Sequence, residues 1–303
     1  INEKMRVADG KTDAFIFITD QHLDGGKDYS AAIINYISAH TGINKVIFGG
    51  DMLQGGNNDV EILRAYRNSF DDGILLMPMR GNHDATGNLT ETVYYDMMIS
   101  PLRHINGTQG KLYYYYDNPD LKIRYIITDS VASDTNYLTS KEQIAWMQSK
   151  ILDLGQDWTV MVFHHGIWNG STTNKVLDYS VDGKLMVDAI DEIYDSARCT
   201  VAGLYSGHSH RDYFGHSEKG YALVSTTVNA CGAALSKYDP ENPIRTTGTT
   251  REEALDVVFL SPSDNLIETP FTLVTKNKRK MRMIQIRSDT AENILIRKQV
   301  LYT

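Results

Sequence analysis

An α/β layered fold is what this sequence predicts, and three observations predict it. Short apolar runs alternate with segments of helical periodicity through the first two thirds of the chain. The early runs end in glycine, aspartate or histidine. The composition is that of a globular protein: 303 residues, 42% hydrophobic and 22% charged.

The elements follow in order. AFIFIT (14–19) reads as a buried strand, and DYSAAIINYISAH (28–40) as the helix after it. KVIFGG (45–50), DVEILRAYRNSF (59–70) and GILLMP (73–78) repeat strand, helix, strand. Tyr113 to Tyr116 form a strand alternating between core and solvent, in preference to a base-stacking platform. KIRYIITD (122–129), SKEQIAWMQSKIL (140–152) and WTVMVFHH (158–165) give the rhythm again, and MVDAIDEIYDS (186–196) leads into CTVAGLYSGHSH (199–210). Helical spacing then fades, and YALVSTTV (221–228), EALDVVFLS (253–261) and NLIETPFTLV (265–274) read as strands closing a sheet. From Thr275 the chain turns basic and alternating. The chain therefore divides into a main domain, 1–274, and a basic β-hairpin-like segment, 275–303. That segment reads as a solvated ribbon outside the main domain, or alternatively as an attachment to a larger assembly.

A net charge of −8 argues against a nucleic-acid coat, since phosphate neutralisation needs a basic surface. No apolar run is long enough for a membrane helix, and no secretory signal pattern opens the chain. It begins at Ile1 rather than Met, as expected of a processed or excised fragment, which leaves the compartment open. Cys199 and Cys231 read as two buried thiols, with one disulfide as the alternative.

The strand exits carry the chemistry. Asp20 and His22 stand two apart after the first strand and project to one side. Later runs end at Asp51, at Asn82, His83 and Asp84, at His164 and His165, and at His208 and His210. Sites in open α/β sheets gather outside the carboxyl ends of strands, so these groups are expected in one crevice. Gly50, Gly81 and Gly207 are read as permitting sharp turns just before the ligands. Carboxylate and imidazole without thiolate suit zinc, manganese or iron. The donors exceed one tetrahedral site but suit two ions about 3.5–4 Å apart sharing a carboxylate, the clamp of phosphoryl chemistry.

The ordered set DQH (20–22), GD (50–51), GNHD (81–84), HH (164–165) and GHSH (207–210) resembles the calcineurin-like metallophosphoesterase superfamily. The resemblance implies a four-layer α/β/β/α sandwich of two mixed sheets flanked by helices. It also implies two divalent ions (Mn2+, Fe2+/Fe3+ or Zn2+). Asp20, His22 and His210 would hold the first and Asn82, His164 and His208 the second, with Asp51 bridging. His83 would act near the leaving group as general acid or transition-state stabiliser, and Asp84 would orient it through a hydrogen bond. Of the HH pair, the resemblance points to His164 as ligand, leaving His165 behind it or facing substrate. Trp168 and Asn169 are expected to line the substrate pocket, with an exposed loop aromatic as the other reading. His40, His104 and His216 fall outside the motifs and read as structural or surface residues.

Departures from the family pattern narrow the substrate. Gly55 stands where protein phosphatases carry a phosphate-clamping arginine, and Gln54 where purple acid phosphatases carry a metal-binding tyrosine. The expected activity is hydrolysis of phosphate esters, foremost of phosphodiesters, by in-line attack of a metal-bound hydroxide. A phosphomonoesterase or a nuclease is the alternative within enzymes, and a catalytically silent virion or cell-surface binding module the alternative outside them. RTTGTTREEALDVVFLS (245–261) resembles the closing strands of such domains in Gram-positive bacteria and their phages, including tail-associated proteins. That likeness would make a cell-wall phosphodiester polymer such as teichoic acid the substrate, and the location virion-associated or extracellular.

Overall fold

The computed structural model describes residues 10–25, 28–102, 106–107, 110–131, 139–168, 179–210, 213–225, 253–262, 279–288 and 295–302. The expected strand at 265–274, together with His104, Asn169 and Cys231, lies outside them. In chain order the first elements are β1 (Asp13–Ile18), α1 (Ser30–Thr41), β2 (Lys45–Phe48), α2 (Asp59–Arg67), β3 (Leu75–Pro78), α3 (Glu91–Tyr94), β4 (Asn106–Gly107), β5 (Tyr114–Asn118) and β6 (Ile123–Ile127). Then come α4 (Lys141–Leu152), β7 (Thr159–Phe163), α5 (Val181–Tyr194), β8 (Thr200–Ser206), β9 (Tyr213–His216), β10 (Ala222–Ser225), β11 (Glu253–Pro262), β12 (Arg279–Ser288) and β13 (Leu295–Tyr302).

The strands form two mixed sheets, ordered β13-β12-β11-β1-β2-β3 and β4-β5-β6-β7-β8-β10-β9. β1, β2 and β3 run parallel, as do β6, β7, β8 and β10, so the site-bearing exits of each sheet lie at one edge. Alternation decides what each side chain meets. Phe15 and Phe17 of β1 pack edge-on or stacked against Tyr125, Phe163 and Tyr205 of the other sheet, at centroid distances of 5.2–6.1 Å. Such pairs add about 0.5–1.5 kcal/mol each beyond burial. α1 and α2 bury Ile33, Ile34, Ile37 and Leu63, while α4 and α5 bury Met147, Ile151, Met186 and Ile190 in a second cluster with Val160 and Val162 of β7. The result is the α/β/β/α sandwich.

Three local expectations change. Helix α5 starts before the apolar periodicity at 186 suggests, because the Ser180 hydroxyl caps it by accepting from Gly183 N–H at 2.7 Å. Both faces of the tyrosine strand are covered: Tyr114 donates to Pro78 O, while Tyr115 packs against Arg124 and Trp146. β12 and β13 fall in the basic segment, yet β12 pairs with β11 from Glu253↔Ser288 to Pro262↔Arg279. These strands extend the first sheet rather than stand apart from it.

At the opposite edge from the strand exits, Asp13 joins the two sheets. Its carboxylate pairs with Lys45 and accepts hydrogen bonds from Asn118 Nδ2 at 3.0 Å and Tyr125 O–H at 2.7 Å. Removing one partner of a buried pair strands the other charge. Asp13→Ala is expected to destabilise the protein by about 3–5 kcal/mol in urea unfolding. A variant as stable as the parent would show that the pair is not a clamp.

Candidate metal centre

The exits of β1, β2, β3, β7 and β8 are held together by their own backbone. Asp20 N–H donates to Gly50 O at 2.9 Å and His22 N–H to Asp51 O at 3.1 Å, within the first sheet. Between sheets, His208 N–H donates to the Asp20 carboxylate at 2.9 Å, and His165 Nδ1 meets Gly49 O at 2.6 Å. Donor atoms converge in three groups, each within 4.8 Å: Asp20, His22 and His210; His22, Asp51 and His83; Asp51, His165 and His208. Asp51 belongs to two of them.

Backbone strain concentrates here. Asp20, His22, Asp51, His208 and His210 have φ of 53°, 48°, 49°, 65° and 55°. Among the described residues, Lys122 is the one other non-glycine with positive φ. Each such residue costs about 1–3 kcal/mol and persists only where its surroundings over-determine it. The glycines divide in their reasons. Gly50 has φ of 95° and serves the turn, but Gly81 and Gly207 are not left-handed. A Cβ on Gly207 would overlap Thr19 Oγ1 and Asp20 Oδ2, so close approach, not turning, requires glycine there.

The HH pair is the first correction. Met161 and Phe163 of β7 face the core between the sheets, and His165, two residues on, faces the same way. Its Nε2 lies 3.1 Å from Asp51 Oδ2. His164 points to the other side with Val160 and Val162. Both its ring nitrogens are engaged there: Nε2 with Asp182 Oδ2 at 2.8 Å and Nδ1 with Thr128 Oγ1 at 2.8 Å. His164 therefore does not face the donor groups.

Two more follow. Asp84 is fully buried and accepts from Leu53 N–H and Gly81 N–H, both at 3.0 Å, so it braces two loops rather than orienting His83. The Gln54 carbonyl, 2.9 Å from His83 Nδ1, does the orienting. Trp168 is buried, stacked on Tyr179 at 4.6 Å and edge-on to Tyr213, in the outer core rather than a substrate pocket. Asn82 sits half-buried before the turn at His83–Ala85 and makes no side-chain hydrogen bond among the described residues.

Several residues escaped the sequence reading. Ser130, after β6, accepts from His165 N–H at 2.9 Å. Arg80 is bound bidentately by Asp129 at 3.0 and 2.9 Å and donates to Val131 O at 2.6 Å, tying the β3 exit to the β6 exit. The signal was present, since KIRYIITDS also runs from apolar residues into polar ones. Hydroxyls are simply not ligand types that draw notice.

Burial opposes charge on Asp20 and Asp51, but hydrogen bonding to His210 and the His165 imidazole hold both well below the usual carboxylate range. Burial opposes charge on His165 as well, yet Asp51 and Asp20 outweigh it and raise its pKa to about 10. His22 and His208 are lowered to about 4, chiefly by burial, so their rings are neutral near pH 7 and keep a lone pair to donate. Burial and the Asp51 charge raise Asp84 to about 7.

The residues fit divalent ions. One buried imidazole nitrogen, His22 Nδ1, has no hydrogen-bond partner among the described residues, and it costs about 1–3 kcal/mol unpaired. Nitrogen and oxygen donors sharing one carboxylate are what two ions of borderline softness require.

A layered sandwich with histidines and aspartates converging at its parallel strand exits defines a metal-dependent hydrolase. The family model of calcineurin-like phosphoesterases matches residues 14–212, and the chain belongs to that family. It is a metal-dependent phosphoester hydrolase, and the family implies a dinuclear divalent metal centre. No curated protein matches the sequence. Among solved structures the fold is similar to a dimetal phosphatase from Danio rerio, with 13% identity, TM-score 0.56, and 96% of this chain and 99% of that one covered. It is also similar to GAP50, the anchor in the inner membrane complex of Plasmodium, with 12% identity, TM-score 0.57, and 95% and 87% covered. Among the described residues no helix is long and apolar enough to cross a membrane.

Proposed function

We propose that the chain hydrolyses phosphodiesters with two divalent ions. Asp20, His22 and His210 would hold one, and Asn82, His165 and His208 the other, with Asp51 available to both. His165 takes the place first given to His164, because its Nδ1 on Gly49 O leaves Nε2 as the ligating nitrogen. When bound, the ions supply Lewis acidity and a water of lowered pKa, and manganese, iron or zinc each suits these donors. His83, with Nδ1 on Gln54 O, keeps Nε2 for the leaving-group oxygen as general acid.

The observation that carries the diester reading is the state of Arg80. A monoester dianion brings a second charge that a fixed guanidinium would meet, but Arg80 is engaged by Asp129 and Val131 O. Gly55 stands where protein phosphatases carry a phosphate-clamping arginine. A diester carries a single charge and needs no such clamp. Metal-stripped protein resupplied with Mn2+ is expected to cleave bis(p-nitrophenyl) phosphate faster than p-nitrophenyl phosphate. The reverse order would make it a phosphomonoesterase, and no cleavage with both ions bound would favour the silent binding module. Among diesters, a cell-wall polymer is the one suggested by the likeness of residues 245–261, with the basic strands as the attachment to a larger assembly. Assays on purified wall polymer and on nucleic acid separate that substrate from the nuclease alternative.

A divalent ion must displace the His165 proton. Mn2+ uptake near neutral pH is expected to release protons, from His165 and from His210, whose pKa, despite burial, its hydrogen bond to Asp20 also raises, and to tighten as pH rises toward about 10. In the metal-free protein the raised His165 pKa works the other way. Its stabilisation is complete below the unfolded value of about 6.5, and is lost as pH rises through about 10. Calorimetry in two buffers of different ionisation enthalpy reads the release, and uptake without it would remove His165 from the centre.

A further inference from the structure

The buried histidine left out of the donor groups has a role of its own, which rests on the assignment of His165 as a ligand. His164 is fully buried, and its two ring nitrogens join elements that the sequence keeps far apart. Nε2 meets Asp182 Oδ2 in the first turn of α5, and Nδ1 meets Thr128 Oγ1 at the exit of β6, each at 2.8 Å. Asp182 is fixed in turn, accepting from Thr139 N–H at 2.7 Å and from Thr139 Oγ1–H at 3.1 Å. Thr128 donates to Phe163 O at 2.8 Å, the last residue of β7.

The same turn of α5 grips the chain just beyond His165. Ser180 N–H donates to Ile167 O at 2.9 Å, and the Ser180 hydroxyl donates to Gly166 O. Gly183 lies so close that a Cβ there would overlap Ile167 O. On the other flank, Ser130 accepts His165 N–H at 2.9 Å and Gly207 N–H donates to His165 O at 3.2 Å. His165 is thus a single residue held from both sides. The grip from α5 passes through its immediate neighbour.

We propose that Asp182, His164 and Thr128 form a positioning chain: the first turn of α5 sets the β7 exit through His164, and so holds the His165 imidazole against Asp51. A chain that only stabilised the fold would lower the melting temperature and leave metal affinity alone. A positioning chain weakens one ion selectively, because His165 serves one of the two sites.

The experiment is titration of the metal-stripped full chain with Mn2+, comparing wild type, Asp182→Asn and Thr128→Val. Asp13→Ala serves as a control that perturbs the fold at the opposite edge. Asp182→Asn is expected to weaken one of the two Mn2+ affinities about 10- to 100-fold, as loss of a group that orients a ligand does, and to leave the other unchanged. Thr128→Val removes a single hydroxyl and gives the same selective loss should Asp182→Asn fail to fold. Asp13→Ala should melt lower with both affinities intact. Wild-type affinities for both ions in the Asp182 and Thr128 variants, or equal weakening of both ions in step with stability, would overturn the chain while leaving the two-metal reading in place. A wild type that takes up no Mn2+ would overturn both.

Discussion

Asp51→Asn is expected to cost at least about 100-fold in hydrolysis and to release one of the two ions. Loss of a group that merely orients a ligand already costs about 10- to 100-fold in affinity or activity, and Asp51 is the carboxylate that two of the three donor groups share. It is buried, with Oδ1 accepting His83 N–H at 2.8 Å and Oδ2 facing His165 Nε2 at 3.1 Å. Asparagine has the same shape, so the chain can still fold. Its amide, however, must turn N–H groups toward one of those two donors, and the negative charge between the proposed ions is gone. Metal content per chain and the rate on bis(p-nitrophenyl) phosphate, measured on one preparation, read both effects. A variant with two ions and the parent rate would end the shared-carboxylate description.

Gly81→Ala should act as strongly through shape alone. A Cβ at that position would overlap Asp51 Oδ1 and Asp51 N, and would stand 2.8 Å from His165 Nε2. A flexible side-chain end could move aside, but the Asp51 nitrogen belongs to a turn already set by φ of 95° at Gly50 and 49° at Asp51. Overpacking of this kind costs about 1–3 kcal/mol. Its functional cost is larger, because the displaced atoms are the donors themselves. Metal uptake should fall to at most one ion, with activity lost in parallel. Gly155→Ala, where a Cβ would meet nothing within 4 Å, should change neither stability nor metal uptake. Normal two-ion binding by Gly81→Ala would mean that the loops yield more readily than their hydrogen bonds suggest.

Much of the site was legible because strand exits announce themselves. Asp20, His22, Asp51, His83, His165, His208 and His210 converge after their apolar runs, since parallel strands deliver their carboxyl ends to one edge, whereas Asp129 and His164 turn to other partners. Asp84 was legible as a site neighbour but not in its role. A carboxylate beside a histidine looks like its partner, whereas this one is drawn inward by the Leu53 and Gly81 amides. The partner of His164 could not be found locally at all, since Asp182 stands 18 residues away at the head of a helix.

By itself the sequence determined the layered α/β class, the five polar exits and their chemistry, because apolar periodicity and residue type are properties of the chain alone. The choice between His164 and His165 belonged to the tertiary structure. Adjacent residues on an extended strand face opposite ways, and nothing local says which face meets the other sheet. Packing settles it: Phe163 turns toward Phe15 and Phe17, carries His165 to the same side as Asp51, and leaves His164 to Asp182 and Thr128.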